Sequence, residues 1–100
     1  MKITLEQKAD RTIVALSGQL DTLTSVDFEK EVLALVNGDE RNIVLDCAGL
    51  SYVSSAGLRL LLTLQKGMKA KGGTLTLEKV QPDIMDIFKV TGFASILTIK

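Results

Sequence analysis

Asn42-Ile43-Val44-Leu45-Asp46, leading on to Ser54-Ser55-Ala56-Gly57-Leu58, is the stretch on which the fold turns. Three consecutive branched or large apolar residues, Ile43 to Leu45, predict a strand buried on both faces, hence a central one in a sheet that is at least partly parallel. Cys47 to Val53 reads as a connection. Leu58, Leu61, Leu62 and Met68 then mark a helix from about Ser55 to Ala70 that stops at Gly72-Gly73. Upstream, Phe28, Val32, Leu35 and Val36 fall at helical spacing, with a start at Thr24, Asp27 as a capping-box-like partner, and a left-handed stop at Asn37-Gly38. Before that helix, Ile3 to Gln7 alternates with period two and Thr12 to Leu16 is a short β-branched run, so the tight Ala9-Asp10-Arg11 link predicts an antiparallel hairpin. Downstream, Thr74 to Lys79 alternates as a strand. Pro82 opens a third helix that buries Ile84, Ile87 and Phe88 and ends at Gly92, and Ile96 to Ile99 reads as a last short strand. A hairpin followed by alternating helices and strands predicts an α/β sandwich, a mixed sheet of four or five strands with helices packed against it.

Composition narrows the chemistry. At 100 residues the chain reads as one domain, 1–100, and 46% hydrophobic against 24% charged residues suits a globular core. Twelve Lys+Arg balance twelve Asp+Glu, and only 4% of residues are aromatic, so the electrostatic footprint of nucleic-acid binding is missing. With no histidine, a Ser-His-Asp triad, a Cys-His pair and any His-built zinc or haem site are excluded. The remaining carboxylates and lysines are scattered, so catalysis by the chain is not expected, and no cofactor is implied. Cys47 is single and reads as a small core hydrophobe. The longest mostly apolar run, Leu58 to Leu64, is far shorter than the roughly 20 residues that span a bilayer, so membrane insertion is not expected. The residues after Met1-Lys2 alternate instead of forming a signal-peptide block, which predicts a cytoplasmic location.

Three local signals bear on function. Gly67 to Thr74 superficially matches a phosphate-cradling loop, but Gly73 stands where the lysine belongs and a helix precedes the glycines where a strand is required. On a 100° helical wheel Leu60 points away from the stripe of Leu58, Leu61, Leu62, Gln65 and Met68, so it is expected to face outward, either as a singly exposed leucine or as part of a partner-binding patch. Finally, Ser54 and Ser55 stand at the start of a helix, directly after the loop following the central strand. Either is a suitable N-cap, worth about 1 kcal/mol. Either is also a suitable phosphoacceptor, because a phosphate there meets free backbone N–H groups and the positive end of the helix dipole.

Ser17-Gly18-Gln19-Leu20-Asp21, Ile43 to Asp46, Leu50 to Leu58, Gly72-Gly73-Thr74 and Phe88 to Phe93 resemble, in this order, the bacterial anti-sigma factor antagonists of the STAS family. The resemblance covers nearly the whole chain and implies a STAS-type domain, a mixed sheet of four to five strands against about three to four α-helices. It implies a cytoplasmic binding switch: the unphosphorylated form binds a serine-kinase anti-sigma factor of the histidine-kinase-like ATPase type and frees the sigma factor. Phosphorylation abolishes binding, and a serine phosphatase reverses it. Matched position by position, the phosphoacceptor falls on Ser55, two residues before Gly57-Leu58, with Ser54 as the other candidate. Asp21 matches the acidic residue of the family's G-x-L-D segment that helps engage the kinase. Ser54, Ser55, Asp21, Gly57 and Leu60 are the expected partner-binding residues. The chain departs from many members in having Ser54 where they carry Asp and Ala56 where they carry Ser or Thr. The same fold also serves in membrane transport complexes, docking constitutively on an ATPase, and an outward Leu60 would suit that alternative.

Overall fold

The computed structural model describes residues 1–100. The chain forms β1 (Lys2–Gln7), β2 (Thr12–Leu20), α1 (Ser25–Asn37), β3 (Asn42–Val53), α2 (Ser55–Ala70), β4 (Thr74–Glu78) and α3 (Pro82–Thr91), followed by a 3-10 turn at Phe93–Ser95. One sheet runs in the order β1-β2-β3-β4. The hairpin β1–β2 is antiparallel, closed where Lys8 N–H donates to Arg11 O at 2.8 Å, whereas β2–β3 and β3–β4 are parallel.

Every second residue of the inner strands points into a single core. Val14 and Leu16, Ile43, Leu45 and Cys47, and Leu75 and Leu77 join Phe28, Val32 and Leu35 of α1, Leu61, Leu64 and Met68 of α2, and Ile84 and Phe88 of α3. Residues of opposite parity, Ile13, Ala15, Val44 and Thr76, are only half-buried, so helices cover one face of the sheet. The expectation that β3 is buried on both faces is therefore corrected: it is central in strand order, but its Val44 side carries no helix. Cys47 is core, as read, and burial pushes its thiol pKa up to about 12.

Other expectations change for tertiary reasons. Cys47 to Val53 is the second half of β3, not a connection. It pairs with Ser17 to Leu20 across two register shifts, and β2 accordingly runs on past Leu16. Gly49 permits that approach, since a Cβ there would lie 2.9 Å from Ser17 Oγ and 3.0 Å from Ser17 Cα. Ile96 to Ile99 is not a strand: Ile99 makes one isolated bridge to Leu77, because the 3-10 turn uses up the preceding residues. Gly72 (φ +76°) and Gly92 (φ +83°) end their helices as expected, both in left-handed backbone, but Gly38, the expected left-handed stop of α1, is extended, φ −88° and ψ −168°. The end of α1 is satisfied from elsewhere in the chain, where Lys71 Nζ donates to Leu35 O at 2.7 Å and Gly38 O at 3.0 Å.

Leu60 does not face outward; it is 8% exposed. One side of α2 packs on the sheet and another on α1, so two adjacent helix faces are apolar and Leu60 lies on the second. Close α1–α2 approach is visible at Gly67, where a Cβ would sit 2.5 Å from a methyl of Val36.

Candidate functional site

Parallel pairing brings the C-terminal ends of β2 and β3 together, with Leu20 beside Val53. The chain then leaves β2 through Asp21–Thr24 into α1 and leaves β3 directly into α2, so two helix N-termini emerge side by side. Ser54 N–H donates to Leu20 O at 2.8 Å and ties the two exits together.

At the first exit, Asp21 Oδ1 accepts from the backbone N–H of Leu23 (3.0 Å) and Thr24 (2.9 Å), and the Thr24 hydroxyl lies 3.1 Å away. The Thr24 N–H, against some cost of desolvation, holds the Asp21 carboxyl below its ordinary value and keeps it ionised. All these bonds fall on Oδ1, leaving Oδ2 uncommitted. Thr24 holds the N-cap position expected of it but does not cap α1: it makes no side-chain cap bond and its backbone is already helical, φ −72° and ψ −19°. Its hydroxyl instead lies 2.7 Å from Gln19 O and accepts from Asp21 N–H at 2.9 Å. Asp21 thus orders the turn that leads into α1.

At the second exit the two serines separate. Ser54 has the extended backbone of an N-cap, φ −84° and ψ 172°, and its Oγ accepts from Gly57 N–H at 3.2 Å. Ser55 is the first residue of α2, exposed, and its hydroxyl makes no hydrogen bond within the chain. The first turn of α2 contains no acidic residue, and Arg59, exposed, stands one helical turn beyond Ser55. The positive end of the dipole is therefore uncompensated at Ser55.

Gly57 and Leu60, expected to meet a partner, are both buried. A Cβ on Gly57 would lie 2.7 Å from Leu20 Cγ and 2.8 Å from its Cδ2, so Gly57 sets how closely α2 approaches β2. Leu60 lines, with Val26, Glu29, Ala56 and Arg59, a groove of about 230 Å³ between the first turns of α1 and α2. Sequence reasoning missed the apolar residues that do reach the surface here: Leu23, 83% exposed beside Asp21, Val26 at 58%, and Tyr52 at 45% ahead of Ser54. Val26 lies outside the buried stripe of α1, and that offset is the signal that could have found it; Leu23 precedes the helix, in the turn after Asp21.

Residues 3–98 match the sequence model of the family described as "Mlab, STAS domain". The chain belongs to the STAS family. A protein of Bordetella bronchiseptica that bears the name of an anti-sigma factor antagonist, BtrV, is 34% identical over 99 residues, covering 99% of this chain and 85% of that one. The anti-sigma-B factor antagonist of Bacillus subtilis is 25% identical over 101 residues, covering 91% of its length. Among solved structures, the STAS fold superposes on the unphosphorylated form of the anti-sigma factor antagonist SpoIIAA with a TM-score of 0.81 at 22% identity, covering 99% of this chain and 88% of that chain. For the phosphorylated form of the Bacillus protein SpoIIAA the TM-score is 0.76 at 20% identity, over 99% and 91% of the two chains.

Proposed function

We propose that this STAS protein is an anti-sigma factor antagonist of a partner-switching pathway, whose unmodified form binds a serine-kinase anti-sigma factor and whose phosphorylation at Ser55 ends that binding. The observation that carries this reading is the division of the two serines: Ser54 is committed as the N-cap, while the Ser55 hydroxyl is exposed and uncommitted, at an exit that the Ser54–Leu20 backbone bond ties to the one carrying an ionised Asp21. The names of the relatives in Bordetella and Bacillus support the same role.

The switch follows from charge. The unmodified surface offers Asp21 Oδ2 for a cationic group of the kinase, flanked by Leu23, Val26 and Tyr52 as apolar contacts. A phosphate on Ser55 adds about −1.5 to −2 charge at pH 7. Within the chain it is well placed, because the first N–H groups of a helix have no intrahelical acceptor and Arg59 lies one turn on. Against a docked partner it must be desolvated, and a change of about 3 kcal/mol lowers affinity more than a hundredfold. The fold itself need not change, and a serine phosphatase resets the switch.

Intact-mass analysis after incubation with ATP and the candidate kinase, with Ser55→Ala and Ser54→Ala alongside, tests the reading. One phosphate, absent from Ser55→Ala and retained in Ser54→Ala, is expected; loss in Ser54→Ala alone moves the acceptor by one residue. No phosphate from any kinase that binds the protein would favour constitutive docking on a transporter ATPase. That alternative has lost its residue-level argument, because Leu60 is buried.

A further inference from the structure

The two edges of the sheet are finished differently. The outer side of β4 is closed by the chain's own C-terminal segment: Leu77 N–H donates to Thr98 O at 2.8 Å and Lys100 N–H to Leu77 O at 2.9 Å. Nothing closes β1. Its six residues pair with β2 in continuous register, without a bulge or a proline, and all but Ile3 are exposed, Leu5 at 44%. Sheets usually protect such an edge with a bulge, a proline, charged side chains or a covering segment, because its row of unpaired backbone groups is a template for another strand; of these, β1 has only the charges of Lys2 and Glu6.

We propose that β1 pairs antiparallel with β1 of a second copy of this chain, about a two-fold axis through Thr4, to give a continuous eight-stranded sheet. The choice of occupant rests on charge complementarity. With the axis at Thr4, Lys2 stands opposite Glu6 of the second copy, whose carboxylate also pairs with Lys8 of its own strand, Ile3 stands opposite its Leu5, and Thr4 opposite Thr4. Lys2, Thr4 and Glu6 share one face of the sheet, while Ile3 and Leu5 share the face of Leu16 and Val14, so each cross-strand pair meets on the same side. Two-fold pairing centred on the neighbouring residues does not work as well. An axis at Leu5 sets Lys2 against Lys8, and an axis at Ile3 sets Lys2 against Thr4, with no opposite charge to meet it. Only the Thr4 register matches opposite charges and apolar pairs together.

Lys2 lies beside Ser17, toward the end of the sheet that carries Asp21 and Ser55. Antiparallel association about Thr4 sends those ends in opposite directions, so both sites stay open in the dimer. A single added strand pair places the interface at the weak end of specific association, with dissociation in the range of about 0.1–1 mM.

Sedimentation equilibrium of the full chain from roughly 10 μM to 1 mM is the test. Wild type is expected to shift from monomer to dimer across this range. Lys2→Glu and Glu6→Lys each make both symmetric copies of the pair like-charged, and each is expected to weaken association about tenfold. The double variant Lys2→Glu/Glu6→Lys restores opposite charges and is expected to return within about twofold of wild type. Both positions are exposed, and circular dichroism confirms that each variant is folded. Wild type that stays monomeric at the top concentration overturns the proposal and leaves the edge to a strand of a different protein. Single variants that dimerise unchanged, or a double variant that fails to recover, overturn it as well.

Discussion

Replacing Ser54 and Ser55 separately by alanine tests the division of labour on which the functional site rests. Ser54→Ala removes the acceptor of the Gly57 N–H, a bond of 3.2 Å, at a position where Gly57 is buried and water cannot readily substitute. Loss of an N-cap costs about 0.5–2 kcal/mol, and the buried, orphaned donor places this one near 1–1.5 kcal/mol. For a domain of this size each kcal/mol lowers Tm by roughly 4–8 °C. Ser55→Ala removes an exposed hydroxyl with no partner, so its effect stays within about 0.5 kcal/mol. Ser55→Asp adds a carboxylate to a first turn that has none and is expected to stabilise by about 0.3–1 kcal/mol. Urea titration with parallel thermal melts of the four proteins measures these differences. The reasoning is refuted if Ser55→Ala loses as much as Ser54→Ala, or if Ser55→Asp destabilises, because either result would mean that Ser55 is engaged within the fold or that the helix start rejects negative charge.

Gly57→Ala forces a methyl against Leu20, so despite its gain in helix propensity it is expected to destabilise by about 1–2 kcal/mol in urea titration, and stability equal to wild type would show that α2 can retreat from β2 freely. Lys71→Met deletes both bonds to the end of α1 while keeping the aliphatic stem, with an expected loss of about 1–2 kcal/mol; an unchanged unfolding midpoint would mean that water replaces the ammonium there. Asp21 has a lowered pKa in the folded chain, so its ionised form contributes stability above its ordinary 3.8 that is lost as pH falls through the lower native value. The Tm gap between wild type and Asp21→Asn should therefore be larger at pH 7 than at about pH 2, and a gap independent of pH would contradict the hydrogen-bonding account.

Local pattern determined much of this protein by itself. The antiparallel hairpin, the strand at Ile43 to Leu45, the helices after Ser54 and Pro82 and the helix ends at Gly72 and Gly92 all follow from periodicity and glycine chemistry, which act within a few residues. The helix-start position of Ser54 and Ser55 and the place of Asp21 after β2 were legible for the same reason. What sequence could not settle depends on groups far apart in the chain. Cys47 to Val53 is strand only because β2 supplies a pairing partner, and α1 ends on a lysine from the end of α2. Leu60 is buried only because α1 lies across α2, which makes apolar a helix face that the sheet alone would leave to water. Ser54 and Ser55 are equivalent as sequence and become distinct once the chain turns: Leu20 fixes the Ser54 backbone, the Ser54 hydroxyl caps α2, and Ser55 is left facing solvent.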